Sequence, residues 1–147
     1  MIKKVILSIL FIVFILLIFY AYVDKHKDYF KNVEGDWQIE VLFHKKEDLK
    51  EKGYSIIGFE RGNHLWIIVR EDRESKFITS KCKFYNIKDT LKMTIFNCKD
   101  SRLNGDYNVY IDTIQNTEAQ YLIRFTLDSE DTYIQAIRPK IRYYGNR

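Results

Sequence analysis

Two cysteines, three histidines and a single proline in 147 residues leave little with which to build a metal or nucleophile centre. Cys82 and Cys98 stand 16 positions apart with no histidine at ligand spacing, which excludes a zinc site. His26, His44 and His64 are scattered over a linker, a strand end and a hairpin tip, where a lone histidine is ordinarily a polar surface residue. Among only six glycines there is no phosphate-binding loop and no Gly-x-Ser-x-Gly elbow, and no His-Glu-x-x-His helix is present. Nor does the pattern place two carboxylates on one inward face, as acid–base chemistry requires. Catalysis therefore finds no support, and no metal or cofactor is expected.

An excess of one charge is also missing. There are 24 basic and 20 acidic side chains, and removing Lys3 and Lys4 leaves 22 against 20. No Lys/Arg stripe with interleaved aromatics lies on one face, so nucleic acid is not an expected partner. Lys45, Lys46 and Lys50 alternate with Glu47, Asp48 and Glu51, which reads as a solvated connection.

What the chain does have is a run of 19 residues, Val5 to Val23, without charge, proline or glycine. As a helix it would span roughly 28 Å, close to the hydrocarbon thickness of a bilayer. A cleaved signal peptide fits less well: its apolar core is shorter, and bulky Phe19 or branched Val23 spoils the candidate cleavage sites after Ala21 and Val23. No cysteine lies near the end of the run to carry a lipid. Tyr20 and Tyr22 sit where an interfacial belt belongs. The expectation is a single-pass membrane protein anchored by residues 5–23. The Lys3–Lys4 leader ahead of the apolar run favours a soluble domain outside the cytoplasm.

After a polar linker, residues 24–34, the apolar period becomes two. Asp36 to His44 places Trp37, Ile39, Val41 and Phe43 on one face, with Leu42 the exception. Tyr54–Arg61 and His64–Glu71 flank Gly62-Asn63, a two-residue hairpin signal that pairs Phe59 with Trp66 and Ile57 with Ile68. A strand from Lys76 meets the next one with Asn86 opposite Leu91, Phe84 opposite Met93 and Cys82 opposite Ile95. Asp106–Gln115 turns Tyr107, Val109 and Ile111 inward, and Ala119–Leu127 turns Tyr121, Ile123, Phe125 and Leu127 inward. Thr132–Arg138 is a last strand stopped by Pro139. Eight strands joined by short connections make an all-β antiparallel up-and-down meander, most economically closed as a barrel over residues 35–139, with residues 140–147 as a tail. A two-sheet β-sandwich is the alternative.

Gly35-Asp36-Trp37 at the first strand resembles the G-x-W signature of lipocalins, and Arg138 resembles the basic residue that packs over that tryptophan. Leu103 to Val109 is similar to the G-x-Y strand of small bacterial lipocalin-like domains. The resemblance covers about Val33 to Pro139, departing from typical secreted members in its N-terminal apolar segment and the lack of a clear C-terminal helix. It implies that Gly35, Trp37 and Arg138 are structural, with a guanidinium over the indole worth about 0.5–2 kcal/mol. It also implies a binding mouth at the opposite end, lined by Phe59, Trp66, Phe84, Tyr107 and Tyr121.

The cysteine pair stays open. In the expected register Cys82 points inward and Cys98, opposite Thr79, outward, so a disulfide needs a bulge or a one-residue slip. Two functions remain: a membrane-anchored lipocalin-like domain holding a small apolar or amphipathic ligand, or a non-enzymatic structural or protein-interaction module of the cell envelope. A pocket of several hundred Å³ favours the first, a filled interior the second.

Overall fold

The computed structural model describes residues 11–18, 30–71, 73–116 and 120–141. Residues 11–18 are helical and exposed, and no helix among the described residues is long and apolar enough to cross a membrane. The rest of the expected 5–23 segment, the linker as far as residue 29 and the tail from residue 142 lie outside the described residues.

Past a single helical turn, Phe30–Val33, the domain is all strand: β1 (Gly35–His44), the two-residue β2 (Glu47–Asp48), β3 (Tyr54–Glu60), β4 (His64–Glu71), β5 (Glu74–Ile87), β6 (Thr90–Phe96), β7 (Gly105–Asn116), β8 (Gln120–Asp128) and β9 (Thr132–Ile141). They form one antiparallel sheet in the order β2-β1-β3-β4-β5-β6-β7-β8-β9, and β1 also pairs with β9. That pairing closes an eight-stranded barrel, β2 being a short return against the end of β1. The sandwich alternative is not what forms. Closure leaves β1 and β9 without the open edges that a flat meander would expose.

Local irregularities shift side chains from where alternation alone places them, three of them at residues singled out above. In β1 the register against β9 slips between Ile39 and Val41, so Glu40 is an extra residue. Beyond that bulge the alternation inverts: Leu42 is fully buried, whereas Phe43, expected inward, is exposed. In the first hairpin the loop has three residues, because Glu60 pairs with His64, and both Gly62 and Asn63 take positive φ. Phe59 then faces Leu65 and Gly58 faces Trp66, which buries Leu65, Ile67 and Val69 and turns Trp66 out. The indole lies over Gly58, where an added Cβ would sit 2.1 Å from a ring carbon. Finally, Asn97 at φ 58° ends β6. Cys98 therefore never reaches Thr79 as a strand partner and is buried instead of outward.

The β5–β6 hairpin keeps its expected register, Cys82 with Ile95 and Phe84 with Met93, across a Lys88-Asp89 turn with both residues at positive φ. The last strand does not stop at Pro139. Pro139 pairs with Leu122 of β8 at a level where β1 no longer pairs with β9, so its missing N–H breaks no central ladder.

The thiols of Cys82 and Cys98 are free and buried, and burial pushes Cys82 up to about 12. Electrophoretic mobility is therefore expected to be the same with and without reductant, and a thiol reagent at neutral pH is expected to label neither cysteine until denaturant is added. A reductant-dependent band shift would contradict this assignment.

Candidate functional site

The barrel has two ends. Residues 30–34 enter at one, together with the β3–β4 and β5–β6 turns. The loops 45–53, 97–104 and 129–131 stand at the other, where the family resemblance implies a binding mouth.

That mouth is occupied. Leu49 and Leu103 are both fully buried, one from each long loop. A polar clasp ties the loops together. Arg102 donates from Nε and Nη2 to the Asp100 carboxylate at 2.9 and 3.0 Å, from Nη1 to Glu47 Oε2 at 3.0 Å and from Nη2 to the Tyr54 hydroxyl at 3.0 Å. Tyr54 donates in turn to Asp100, and Lys52 pairs with Glu47. Thr132, itself buried, donates to the Arg102 carbonyl at 3.0 Å, with His44 Nδ1 2.8 Å from the same hydroxyl. The Asn104 amide clamps the Cys98 backbone, receiving its N–H at 2.9 Å and donating to its C=O at 3.1 Å.

Electrostatics match this geometry. Burial alone would raise the Asp100 carboxyl, but hydrogen bonds from Arg102 and Tyr54 outweigh it and hold Asp100 below its ordinary value. Desolvation and donation to Asp100 push the Tyr54 phenol up. Each charge in the clasp thus has its partner, as partly buried charges require.

The residues expected to line a ligand site do other work. Phe59 is buried and packs edge-on to Phe125 at 5.2 Å between ring centroids. Phe84 is half-buried at 6.1 Å from Phe59. Tyr107 is buried and its hydroxyl donates to the Leu103 carbonyl at 2.8 Å, fixing the plug from beneath; burial raises the phenol to about 12. Tyr121 is half-buried against the core. Trp66 is the misplaced member: it lies on the outer face, 6.1 Å from Phe77, and borders a concavity of about 460 Å³ beside the Glu34–Arg61 ion pair. Thus Phe59, Phe84, Tyr107 and Tyr121 pack inward as expected, and Trp66 does not join them.

At the entry end the structural trio does come together. Trp37 is fully buried, its Nε1 donates to the Val33 carbonyl at 2.8 Å, and its ring lies 5.3 Å from that of Phe125. The Arg138 guanidinium carbon stands 4.2 Å from the Trp37 ring centroid. Its Nη1 donates to the Glu34 carbonyl and its Nη2 to that of Asn32 at 3.0 Å. Gly35, at φ 107°, leaves room for this: an added Cβ would lie 3.0 Å from Arg138 Nη1. Arg138 therefore fastens the incoming chain across the end of the barrel while covering the indole.

Sequence reasoning missed a groove on the outside. About 910 Å³ lies open over β7, β8 and β9, floored by buried Thr126 and flanked by Tyr110, Tyr133 and the Asp112–Arg124 pair. Its only advance signal was the alternate set of β7 to β9, where aromatic residues recur at outward positions. Among the described residues no group of His, Cys, Asp or Glu could hold a metal ion.

No known protein family, curated protein or solved structure matches this chain. The fold and the packing carry the functional argument alone.

Proposed function

We propose that this chain is a membrane-tethered, non-enzymatic interaction module of the cell envelope, in which a lipocalin-like barrel serves as a solid support rather than a container. The observation that carries the reading is the filled interior. Trp37, Phe59, Tyr107 and Phe125 are all buried, with Phe125 against the rings of both Trp37 and Phe59; Leu49 and Leu103 are buried at one end, and Arg138 covers Trp37 at the other. Eight-stranded barrels are just wide enough to be filled by their own side chains, and this one supplies side chains of the size needed. The Gly35, Trp37 and Arg138 geometry supports the lipocalin-like comparison. The apolar run Val5–Val23 supports the tether, with the barrel outside the cytoplasm. A carrier of a small apolar ligand is the competing reading; buried Trp37, Phe59, Tyr107 and Phe125, which stand where such a ligand would lie, count in favour of the module.

Native mass spectrometry of the full chain, extracted in detergent and stripped of it in the gas phase, tests this. The expected mass is that of the polypeptide alone. A stoichiometric apolar molecule retained with it would replace the module reading with the carrier.

A further inference from the structure

The entry end has an apolar rim that the core does not use. Ile87, at the β5–β6 turn, is 48% exposed, Ile114, near the tip of the β7–β8 hairpin, 41%, and Ile111 38%. Ile111 was expected inward. It is uncovered because β6 begins at Thr90 and its pairing with β7 ends at Asn108, so the rest of β7 overhangs the β5–β6 turn with β8 as its only ladder partner. Ile114 is the extra residue of a bulge between Thr113 and Gln115. A bulge at that place re-aims one isoleucine beyond the regular sheet face.

The pairing registers put this rim beside the point where the chain enters. Gln38 of β1 is level with Ile137, Ile137 with Arg124, and Arg124 with Asp112. Stepping outward from that level leads to Gly35 on β1 and to Ile114 on β7. Between Val23, the last residue of the apolar run, and Phe30, the first described residue at this end, there are six residues. Fully extended they reach at most about 20 Å. Val33 is fully buried and Arg138 grips the Asn32 and Glu34 carbonyls, so residues 32–34 are fastened to this end of the barrel. β9 ends at Ile141 on the same end, and the sequence that follows reads Arg-Tyr-Tyr-Gly-Asn-Arg, two cations and two aromatics of the kind that favour a lipid–water interface.

We infer that the entry end of the barrel rests on the lipid surface, with Ile87, Ile111 and Ile114 inserted among the headgroups. The inference rests on the tether reading: a barrel held within about 20 Å of a bilayer by its entry end meets the lipid with this rim first. The far end, with its charged clasp and Lys45 to Lys52 loop, faces away. Phe77, the most exposed aromatic among the described residues of the barrel, packs on Trp66 and takes no part.

The test uses the full chain in phosphatidylcholine vesicles with plain or brominated acyl chains. Two reporters, Ile114→Trp and Ile87→Trp, are compared with Lys50→Trp at the far end, each after subtraction of the unmodified chain's emission. Either rim reporter is expected to lose roughly half its emission in brominated lipid, while the Lys50→Trp signal stays level. Flotation of the same vesicles at high salt reads the tether separately. A chain that floats while both rim reporters ignore bromine keeps its tether and overturns the rim contact. Rim reporters shielded from water yet blind to bromine, with self-cross-linking through this end, would assign the rim to a second copy and also overturn it. A chain that does not float overturns both.

Discussion

Replacing Trp37 with alanine is expected to lower the unfolding free energy by about 3–5 kcal/mol, read as a shift of the urea midpoint at unchanged slope. Trp37 is fully buried, touches Phe125 and holds the Val33 carbonyl, so its removal opens a cavity where the barrel end and the incoming chain are joined. The loss does not stop with the indole. Arg138 is partly buried, burial already lowers its pKa, and among the described residues its Nε is a buried donor with no hydrogen-bond partner. Without the ring beneath it that guanidinium keeps only the two carbonyls. Trp37→Phe retains an aromatic face but not the Val33 bond, and is expected to lose less. Equal losses for the two variants would place the cost in the hydrogen bond rather than in packing.

Arg102→Ala is expected to cost about 1–3 kcal/mol and to loosen the far end of the barrel. Among the described residues the arginine alone is seen to bond to Asp100, Glu47 and Tyr54 together, and the Asp100 carboxylate, a tenth exposed beside it, would lose its cationic partner. Amide exchange is the local readout: the 45–53 and 97–104 segments are expected to lose protection while β7 to β9 keep theirs. The pH dependence carries a sign. Asp100 titrates lower in the folded chain than its ordinary value of 3.8. The unfolded chain therefore takes up the proton first as pH falls, and this contribution is whole above that value and lost below it. The stability gap between the native chain and Arg102→Ala should accordingly narrow in acid. A gap that holds constant down to pH values below about 3 would remove Asp100 from the account.

Much of this fold is legible in the chain because the sheet's period is exact and its turns are short. The Lys88-Asp89 hairpin shows it: the only register that sets Cys82, Phe84 and Asn86 against Ile95, Met93 and Leu91 is the one that forms. Two of the misreadings, in β1 and β4, share one cause. A strand pattern carries no mark of an inserted residue, so the Glu40 bulge and the third loop residue at Arg61 each invert everything beyond them. Leu42, the exception in an otherwise regular β1, was the visible trace of the first. Gly58 was the trace of the second, since a glycine inside a strand marks a close approach, here by Trp66.

The site was legible in part for a different reason. Gly35, Trp37 and Arg138 could be paired from a short motif because the contact is dictated by one ring and one cation. The clasp could not, because Glu47, Tyr54, Asp100 and Arg102 converge only after two loops fold over the mouth, and loops of this length carry no periodicity. Leu49 and Leu103, which decide whether the barrel is a vessel or a plug, look like any other leucine in a charged stretch.

The central claim is that the chain fills its own barrel. Methyl-resolved NMR of the full chain in lipid nanodiscs, titrated with a long-chain fatty acid, tests it most directly. Met93, Leu127 and Ile57 are fully buried at the centre, and their resonances are expected not to move at any ligand concentration. Saturable shifts at these methyls, accompanied by shifts at Leu49 and Leu103, would show a ligand entering through the far end and would contradict the account.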